Sequence, residues 1–385
     1  MNENSPKTVV LLGSTGSVGR NAVLELLEHR DNFKVLGLVA HDNIELLSQQ
    51  AALLGAEYAV TTNEMRFQEL KALVPQNCCA KAGMEAMLEL VSRHDVDIVL
   101  CSILGNAAIR PALAALDAGK HLALASKEVL CAAGELVMAA ARRNPGSRIV
   151  PVDSEHSGLF QCLQGRDSRE LAKLWITASG GPFKDYSSEQ LAKVTLEQAL
   201  KHPVWAMGAK ITIDSATMMN KALELIETHY LFDMPESCID AVIHPQATVH
   251  ALVELVDGTF IAQLSAPDMR MAIRYGLSYP MRLPGTAERL DFRQCFALDF
   301  SPIDAERFPS VSFAREALRM GGTMPTVLNA ANDVAVSRFM RGEIRFTDIW
   351  RIVEKTMEAM PDEKQENISQ VEAIDKEARE KARIF

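Results

Sequence analysis

A run of apolar, β-branched residues, Thr8-Val9-Val10-Leu11-Leu12, leads straight into Gly13-Ser14-Thr15-Gly16-Ser17-Val18-Gly19 and then into the helical spacing Ala22, Val23, Leu26, Leu27. Strand, glycine turn and helix arrive in the order of a dinucleotide-binding βαβ unit. Glycines let the backbone turn tightly and approach a pyrophosphate, whose charge is favoured by the free N–H groups at the start of the helix. The spacing is Gly-x-x-Gly-x-x-Gly rather than Gly-x-Gly-x-x-Gly, so a plain turn competes as a reading of the glycines alone. A second strand, Lys34 to Val39, ends just before His41-Asp42-Asn43. Asp42 lies where a carboxylate meets an adenosine ribose, which argues for NAD over NADP.

Beyond this start, strand runs at Tyr58 to Val60, Ile98 to Ser102 and His121 to Ala125 alternate with Ala- and Leu-rich helical segments, the signature of a parallel sheet. A chain of 385 residues exceeds one ordinary core. The expected class is α/β, with a Rossmann-type parallel sheet over 1–152, a central α+β domain over 153–288, a connector over 289–303 and a C-terminal helical bundle over 304–385. In the central region Ala241 to Ile243, Val249 to Val256 and Thr259 to Leu264 read as strands, with Asp257-Gly258 as a hairpin turn. Phe313 to Leu318, Val327 to Ala331, Ile349 to Met360 and Val371 to Ala382 read as the bundle helices.

Composition excludes several classes. With 48% hydrophobic and 23% charged residues the chain reads as soluble and globular, and a net charge of −10 argues against a nucleic-acid partner. No apolar run is long enough to cross a bilayer, and Met1 to Lys7 has neither a signal core nor a transit-like pattern. The seven cysteines form no Cys-x-x-Cys pair, which fits a reducing cytoplasm.

Chemistry concentrates after Ile149. The apolar run up to Val152 suggests that Asp153 and Glu155 lie on an extended segment, where residues i and i+2 project to one side and can converge on one ion. Asn220, Lys221 and Glu224 fall on one face of a helical pattern, so a third carboxylate has a cation and an amide beside it. Oxygen donors without a neighbouring cysteine favour Mg²⁺ or Mn²⁺ over Zn²⁺. Taken singly, either segment reads more readily as solvated surface than as a metal site. Trp175 to Pro182 is a strand running into a glycine turn, where Ser179 and adjacent N–H groups suit phosphate oxygens. Lys201 to Gly208 carries His202, Trp205 and Met207 between Pro203 and Gly208, the makeup of a lid that excludes water, with core packing as the competing reading of Trp205 and Met207.

Gly-Ser-Thr-Gly-Ser-Val-Gly, Pro-Val-Asp-Ser-Glu-His, Ser-Gly-Gly-Pro-Phe, His-Pro-x-Trp-x-Met-Gly, Asp-Ser-Ala-Thr-Met-Met-Asn-Lys-x-Leu-Glu and Leu-Asn-Ala-Ala-Asn, in this order over nearly the whole chain, resemble the 1-deoxy-D-xylulose 5-phosphate reductoisomerase family. The resemblance implies a homodimeric, cytoplasmic, NADP-dependent oxidoreductase of the non-mevalonate isoprenoid pathway. Such an enzyme rearranges and reduces a small phosphorylated sugar to 2-C-methyl-D-erythritol 4-phosphate with NADPH and Mg²⁺ or Mn²⁺. It implies metal ligation by Asp153, Glu155 and Glu224. Substrate contacts fall to Lys127, Ser154, Glu155, Ser179, His202, Ser215, Asn220, Lys221 and Glu224, with Trp205 and Met207 in a closing loop. Lys127, Glu155, His202 and Lys221 become the catalytic set. Thr15, Gly16, Ser17, Val18, His41, Asp42, Asn43, Ser126, Glu128 and Gly208 become the nucleotide contacts.

The chain departs from the family pattern in three places. Ser126 replaces the usual Asn before Lys127-Glu128, Ser157 follows Asp-Ser-Glu-His in place of Asn, and His41-Asp42-Asn43 replaces Gly-Lys-Asn or Gly-Ser-Asn. A carboxylate near a 2′-phosphate repels it, so NADPH requires Asp42 to turn outward while His41 or Arg20 meets the phosphate. Two other readings remain open at this level: a metal-independent Rossmann dehydrogenase using Cys101 or Cys131, and a non-catalytic nucleotide-binding relative, although its expected broken acidic set is not found.

Overall fold

The computed structural model describes residues 5–205, 208–294 and 296–385, which divide into two compact units. The first comprises residues up to 129, 137–157 and 268–287; the second comprises 130–136, 158–267 and 288–385.

In the first unit, β1 (Lys7–Leu12), β2 (Phe33–Ala40), β3 (Tyr58–Thr61), β4 (Cys79–Ala82), β5 (Ile98–Cys101), β6 (His121–Leu124) and β7 (Arg148–Pro151) form a seven-stranded sheet in the order β4-β3-β2-β1-β5-β6-β7. Every pairing is parallel. Val9, Val10, Leu11 and Leu12 are fully buried, as expected of a strand covered on both faces. Strand order reverses at β1, so a crevice opens past the carboxyl ends of β1 and β5, where such sheets bind ligands. The helix Met269–Ser278, distant in sequence, also belongs to this unit: Ile273 and Leu277 join Ala123 and Val152 in its core.

His121, at the start of β6, makes this unit acid-sensitive. Burial, reinforced by Arg148 and Lys7, pushes its imidazole down to about 4. In the unfolded chain the ring titrates near 6.5, so below that pH the unfolded state binds the extra proton and the folded state does not until about 4. Stability should therefore fall as pH drops through this window, by about 3 kcal/mol from this group. Denaturant titrations between pH 4 and 7 should show a shallower slope in His121→Gln; an unchanged slope would assign the acid loss to carboxylates.

In the second unit, β8 (Leu171–Ala178), β9 (Ile239–Ile243), β10 (Val249–Leu255), β11 (Phe260–Leu264) and β12 (Ser301–Pro302) form a five-stranded sheet in the order β11-β10-β8-β9-β12. β8 and β9 run parallel and the other neighbours antiparallel. Gly258, with φ of +85°, turns the β10–β11 hairpin at the expected Asp257-Gly258. Inward-facing Leu174, Ile176, Ala251 and Val253 share a core with the C-terminal helices Ser310–Met320, Met324–Met340, Asp348–Ala359 and Ile368–Ile384. The expected connector contributes β12, which pairs with β9.

Candidate functional site

The glycine turn is held against β2: the N–H groups of Gly13 and Ser14 both donate to the Val39 carbonyl, at 2.9 and 3.0 Å. A Cβ on Gly19 would lie 2.1 Å from the Gly13 carbonyl oxygen, so the turn folds back on the helix in a way only glycine permits. Gly16 caps the helix Ser17–Glu28, and Gly16 and Ser17 are exposed while Thr15 and Val18 are half-buried. Free N–H groups at such a turn can receive a pyrophosphate. Ser126, by contrast, spends its hydroxyl on the Ile103 carbonyl at 2.6 Å and the Cys101 carbonyl at 3.3 Å, fastening the ends of β5 and β6. Glu128 is buried at the start of the helix Glu128–Arg143.

One step past β7 lies the first cluster of charge. The extended reading of Asp153 to Glu155 is corrected here: β7 ends at Pro151 and a helix, Ser154–Cys162, begins one residue before the expected end of the extended segment at Glu155. Val152 N–H still donates to the Leu124 carbonyl at 2.8 Å, and Asp153 then favours a helix start: its carbonyl accepts from Ser157 N–H at 2.8 Å and its carboxylate from Glu155 N–H at 3.3 Å. Lys127 donates to the same carboxylate, and His156 Nδ1 lies 3.3 Å from its Oδ1. Burial would raise the Asp153 carboxyl, but Lys127 and His156 hold it well below the ordinary range. Ser154 donates to Glu155. His156, fully buried, is a member of this cluster to which its sequence motif gave no role. The signal available was its position three residues after Asp153, one helical turn away.

In the second unit the glycine turn after β8 builds a different cluster. Gly180 and Gly181 have φ of +86° and +64°, and a Cβ on Gly181 would meet the Ser215 carbonyl oxygen at 2.8 Å. That close approach brings Ser179 and Ser215 to one imidazole: His202 Nε2 lies 3.1 Å from Ser179 Oγ and 3.0 Å from Ser215 Oγ. The other ring nitrogen, Nδ1, accepts from the N–H groups of Val204 at 3.1 Å and Trp205 at 2.8 Å. With two donors aimed at Nδ1, the proton of the neutral ring sits on Nε2 and is offered to the serines. Burial lowers the His202 pKa and so supports the neutral form. The serine hydroxyls are then left to donate to an anion.

Beyond the helix Ala209–Ala216, Met218 adopts the left-handed conformation, φ +62°, and starts the helix Met219–Phe232. Non-glycine residues held there often mark functional turns. On its first turns Asn220 and Lys221 both donate to Glu224, and Lys221 and Glu224 are 4% and 1% exposed. The expected grouping of the three on one face is observed. Trp205 is half-buried beside His202, Gly208 caps the helix that carries Ser215, and Met207 lies outside the described residues.

Cys101 and Cys131 give no support to a thiol nucleophile. Burial pushes Cys101 up to about 11, so it stays protonated, and Cys131 is buried with its thiol directed to the Leu223 carbonyl.

A doubly wound parallel sheet with a glycine turn after its first strand, a serine–histidine cluster with hydroxyls free to donate to an anion, and buried lysine–carboxylate pairs fit one class: an α/β dinucleotide-dependent enzyme acting on a small anionic substrate. Three family profiles match the chain: 1-deoxy-D-xylulose 5-phosphate reductoisomerase over residues 9–134, its C-terminal domain over 149–232, and the DXP reductoisomerase C-terminal domain over 264–381. The 1-deoxy-D-xylulose 5-phosphate reductoisomerase of Pelotomaculum thermopropionicum is 47% identical, covering 91% of each chain; reductoisomerase 1 of Bacillus thuringiensis is 42% identical, covering 98% of this chain and 97% of its own. Among solved structures, the Zymomonas mobilis reductoisomerase in complex with NADPH superposes with a TM-score of 0.92 at 40% identity over 98% of both chains. A reductoisomerase in complex with NADPH, fosmidomycin and magnesium gives the same TM-score at 35% identity, again over 98% of both. The chain belongs to the 1-deoxy-D-xylulose 5-phosphate reductoisomerase family, and it is an NADP-dependent oxidoreductase.

Proposed function

We propose that the chain converts 1-deoxy-D-xylulose 5-phosphate into 2-C-methyl-D-erythritol 4-phosphate in isoprenoid precursor synthesis, with oxidation of NADPH and a requirement for Mg²⁺ or Mn²⁺. The observation that carries this reading is that buried carboxylates assigned to the metal are each balanced by a lysine of their own unit, Asp153 by Lys127 and Glu224 by Lys221. With Glu155 they make an all-oxygen donor set, which fits a hard divalent ion. Bound there, the ion supplies stabilisation of negative charge on the sugar oxygens, and NADPH supplies the hydride.

The protein's own groups orient the substrate. Ser179 and Ser215, each facing neutral His202, turn their hydroxyl protons to the phosphate, and Asn220 and Lys221 add an amide and a cation. Ser154 and Lys127 contact the sugar, and Lys127, Glu155, His202 and Lys221 surround the reacting atoms. Holding the phosphate away from the reacting carbons lets its binding energy fix their geometry. Trp205 and Met207 close over the substrate and exclude water. Thr15, Gly16, Ser17 and Val18 receive the pyrophosphate, and His41, Asp42, Asn43, Ser126, Glu128 and Gly208 complete the nucleotide site.

We further assign a cytoplasmic homodimer. Leu252 of β10 stands opposite Trp175 of β8 and Ala262 of β11, on the sheet face turned away from the core residues Ile176 and Val253. Together with exposed Phe260 this face offers apolar surface to a second copy. Sedimentation at twice the mass of one chain is the expected result.

The decisive assay follows loss of reduced-nicotinamide absorbance with purified protein and 1-deoxy-D-xylulose 5-phosphate. Oxidation of NADPH should require the sugar phosphate and Mg²⁺ or Mn²⁺ and stop with chelator. No oxidation by folded protein that binds the nucleotide would overturn the reading, and oxidation that survives chelation would favour a metal-independent dehydrogenase.

A further inference from the structure

The loop after β2 lacks the cation that a 2′-phosphate calls for, yet the structure brings one there from another element. His41 and Asp42 follow β2 directly, and Asn43 caps the helix Ile44–Leu54 by accepting from Leu46 N–H at 3.1 Å. In a parallel nucleotide-binding sheet this is the place of the adenosine ribose. The Asp42 carboxylate would repel a phosphate on that ribose. Arg66 closes the short turn Glu64–Arg66 after β3, and its Nη1 donates to the Asp42 carbonyl at 2.8 Å. Its Nη2 donates to Glu45 at 2.9 Å and Glu69 at 2.8 Å. Asn63 Nδ2, from the same turn, holds the Asp42 carboxylate at 2.7 Å.

These contacts differ in permanence. The bond to the Asp42 carbonyl is to backbone and fixes the guanidinium beside the loop. Glu45 and Glu69 are 58% and 60% exposed on flexible stems, so an incoming dianion can take their place. Arg20, a competing candidate, donates Nε to the Thr15 carbonyl at 3.0 Å and so braces the glycine turn instead. His41 Nδ1 is 2.8 Å from Thr62 Oγ1. A planar guanidinium binds phosphate by paired charge-assisted hydrogen bonds, and the start of the helix Ile44–Leu54 adds favourable dipole.

We propose that Arg66 is the residue that recognises the 2′-phosphate of NADPH in this chain, displacing Glu45 and Glu69 from its guanidinium, and that Asp42, tethered by Asn63, is what limits the preference over NADH. The proposal rests on the nucleotide reading given above. Its test is equilibrium binding of NADPH and NADH, followed by nicotinamide fluorescence with no sugar phosphate present. Arg66→Gln should weaken NADPH about tenfold while NADH changes by less than about twofold. Arg66→Lys, which keeps charge but not the paired geometry, should fall between, and Asp42→Asn should tighten NADPH severalfold. Equal weakening of both nucleotides in Arg66→Gln, or unchanged NADPH affinity, would overturn the assignment. Failure of the unsubstituted protein to bind either nucleotide would instead remove the reading on which it rests.

Discussion

Glu224→Gln should lose at least about a thousandfold in kcat while still folding and binding NADPH. The substitution keeps shape and replaces a carboxylate by a neutral amide. A carboxylate donor to a divalent ion contributes electrostatic stabilisation worth several kcal/mol as charge develops on substrate oxygens, and each tenfold in rate corresponds to about 1.4 kcal/mol. Glu224 is almost fully buried and accepts from both Asn220 and Lys221. The amide oxygen of glutamine can still accept from one of these, while its NH2 group turns toward the other, which loses this acceptor. Lys221 does lose a buried counter-charge, and some stability will go with it. Glu224→Asp separates the effects, because it restores the charge but withdraws it by one methylene: the Mg²⁺ concentration for half activity should rise while kcat recovers in part. A denaturant midpoint provides the control for folding of the unit that carries Glu224, and nucleotide affinity should stay unchanged because the glycine turn belongs to the other unit. Full activity of Glu224→Gln would remove Glu224 from the metal set.

How much of this was legible in the sequence depended on whether the signal was local. The glycine turn, the strands flanking it and the Asn220 to Glu224 face were readable because strand and helix periodicities are local. The start of a helix at Ser154 was not, because the run Ile149 to Val152 pointed to an extended segment and the outcome turned on Asp153 accepting from Glu155 and Ser157 N–H groups. The four-residue edge strand Cys79–Ala82, with few β-formers, carried almost no pattern. Roles created by long-range pairing were beyond reach. Arg66 is one of 40 lysines and arginines, and nothing in its neighbourhood connects it with Asp42. His202 and its serines were visible as residue types, but the proton on Nε2 follows only from the two N–H groups directed at Nδ1.

The largest loss of stability in the first unit should come from Arg274→Met. Arg274 grips Glu25 with two parallel bonds, Nε to Oε2 at 2.7 Å and Nη2 to Oε1 at 3.0 Å, across 249 residues of sequence. Glu25 is 1% exposed, so removing the guanidinium takes its paired counter-charge from a buried carboxylate that keeps His29 Nε2 at 3.8 Å. Breaking one side of such a pair typically costs about 3–5 kcal/mol, more than the pair itself contributes relative to apolar residues of similar volume. The double variant Glu25→Leu/Arg274→Met should consequently recover most of the loss, an outcome that simple loss of packing at Arg274 would not produce. Gly285 supplies an independent check: a Cβ there would lie 1.8 Å from the Arg274 guanidinium carbon, so Gly285→Ala must push the side chain from its place. Denaturant midpoints measure all three. The consequence reaches the cofactor, because Glu25 lies on the helix Ser17–Glu28 that begins at the glycine turn, and Arg274 fixes that helix against Met269–Ser278. Arg274→Met should therefore weaken nucleotide binding along with stability, whereas the double variant, with the helices again packed, should regain both. Recovery of stability without recovery of affinity would mean that the ion pair orients the turn through its geometry and not merely by holding the helices together.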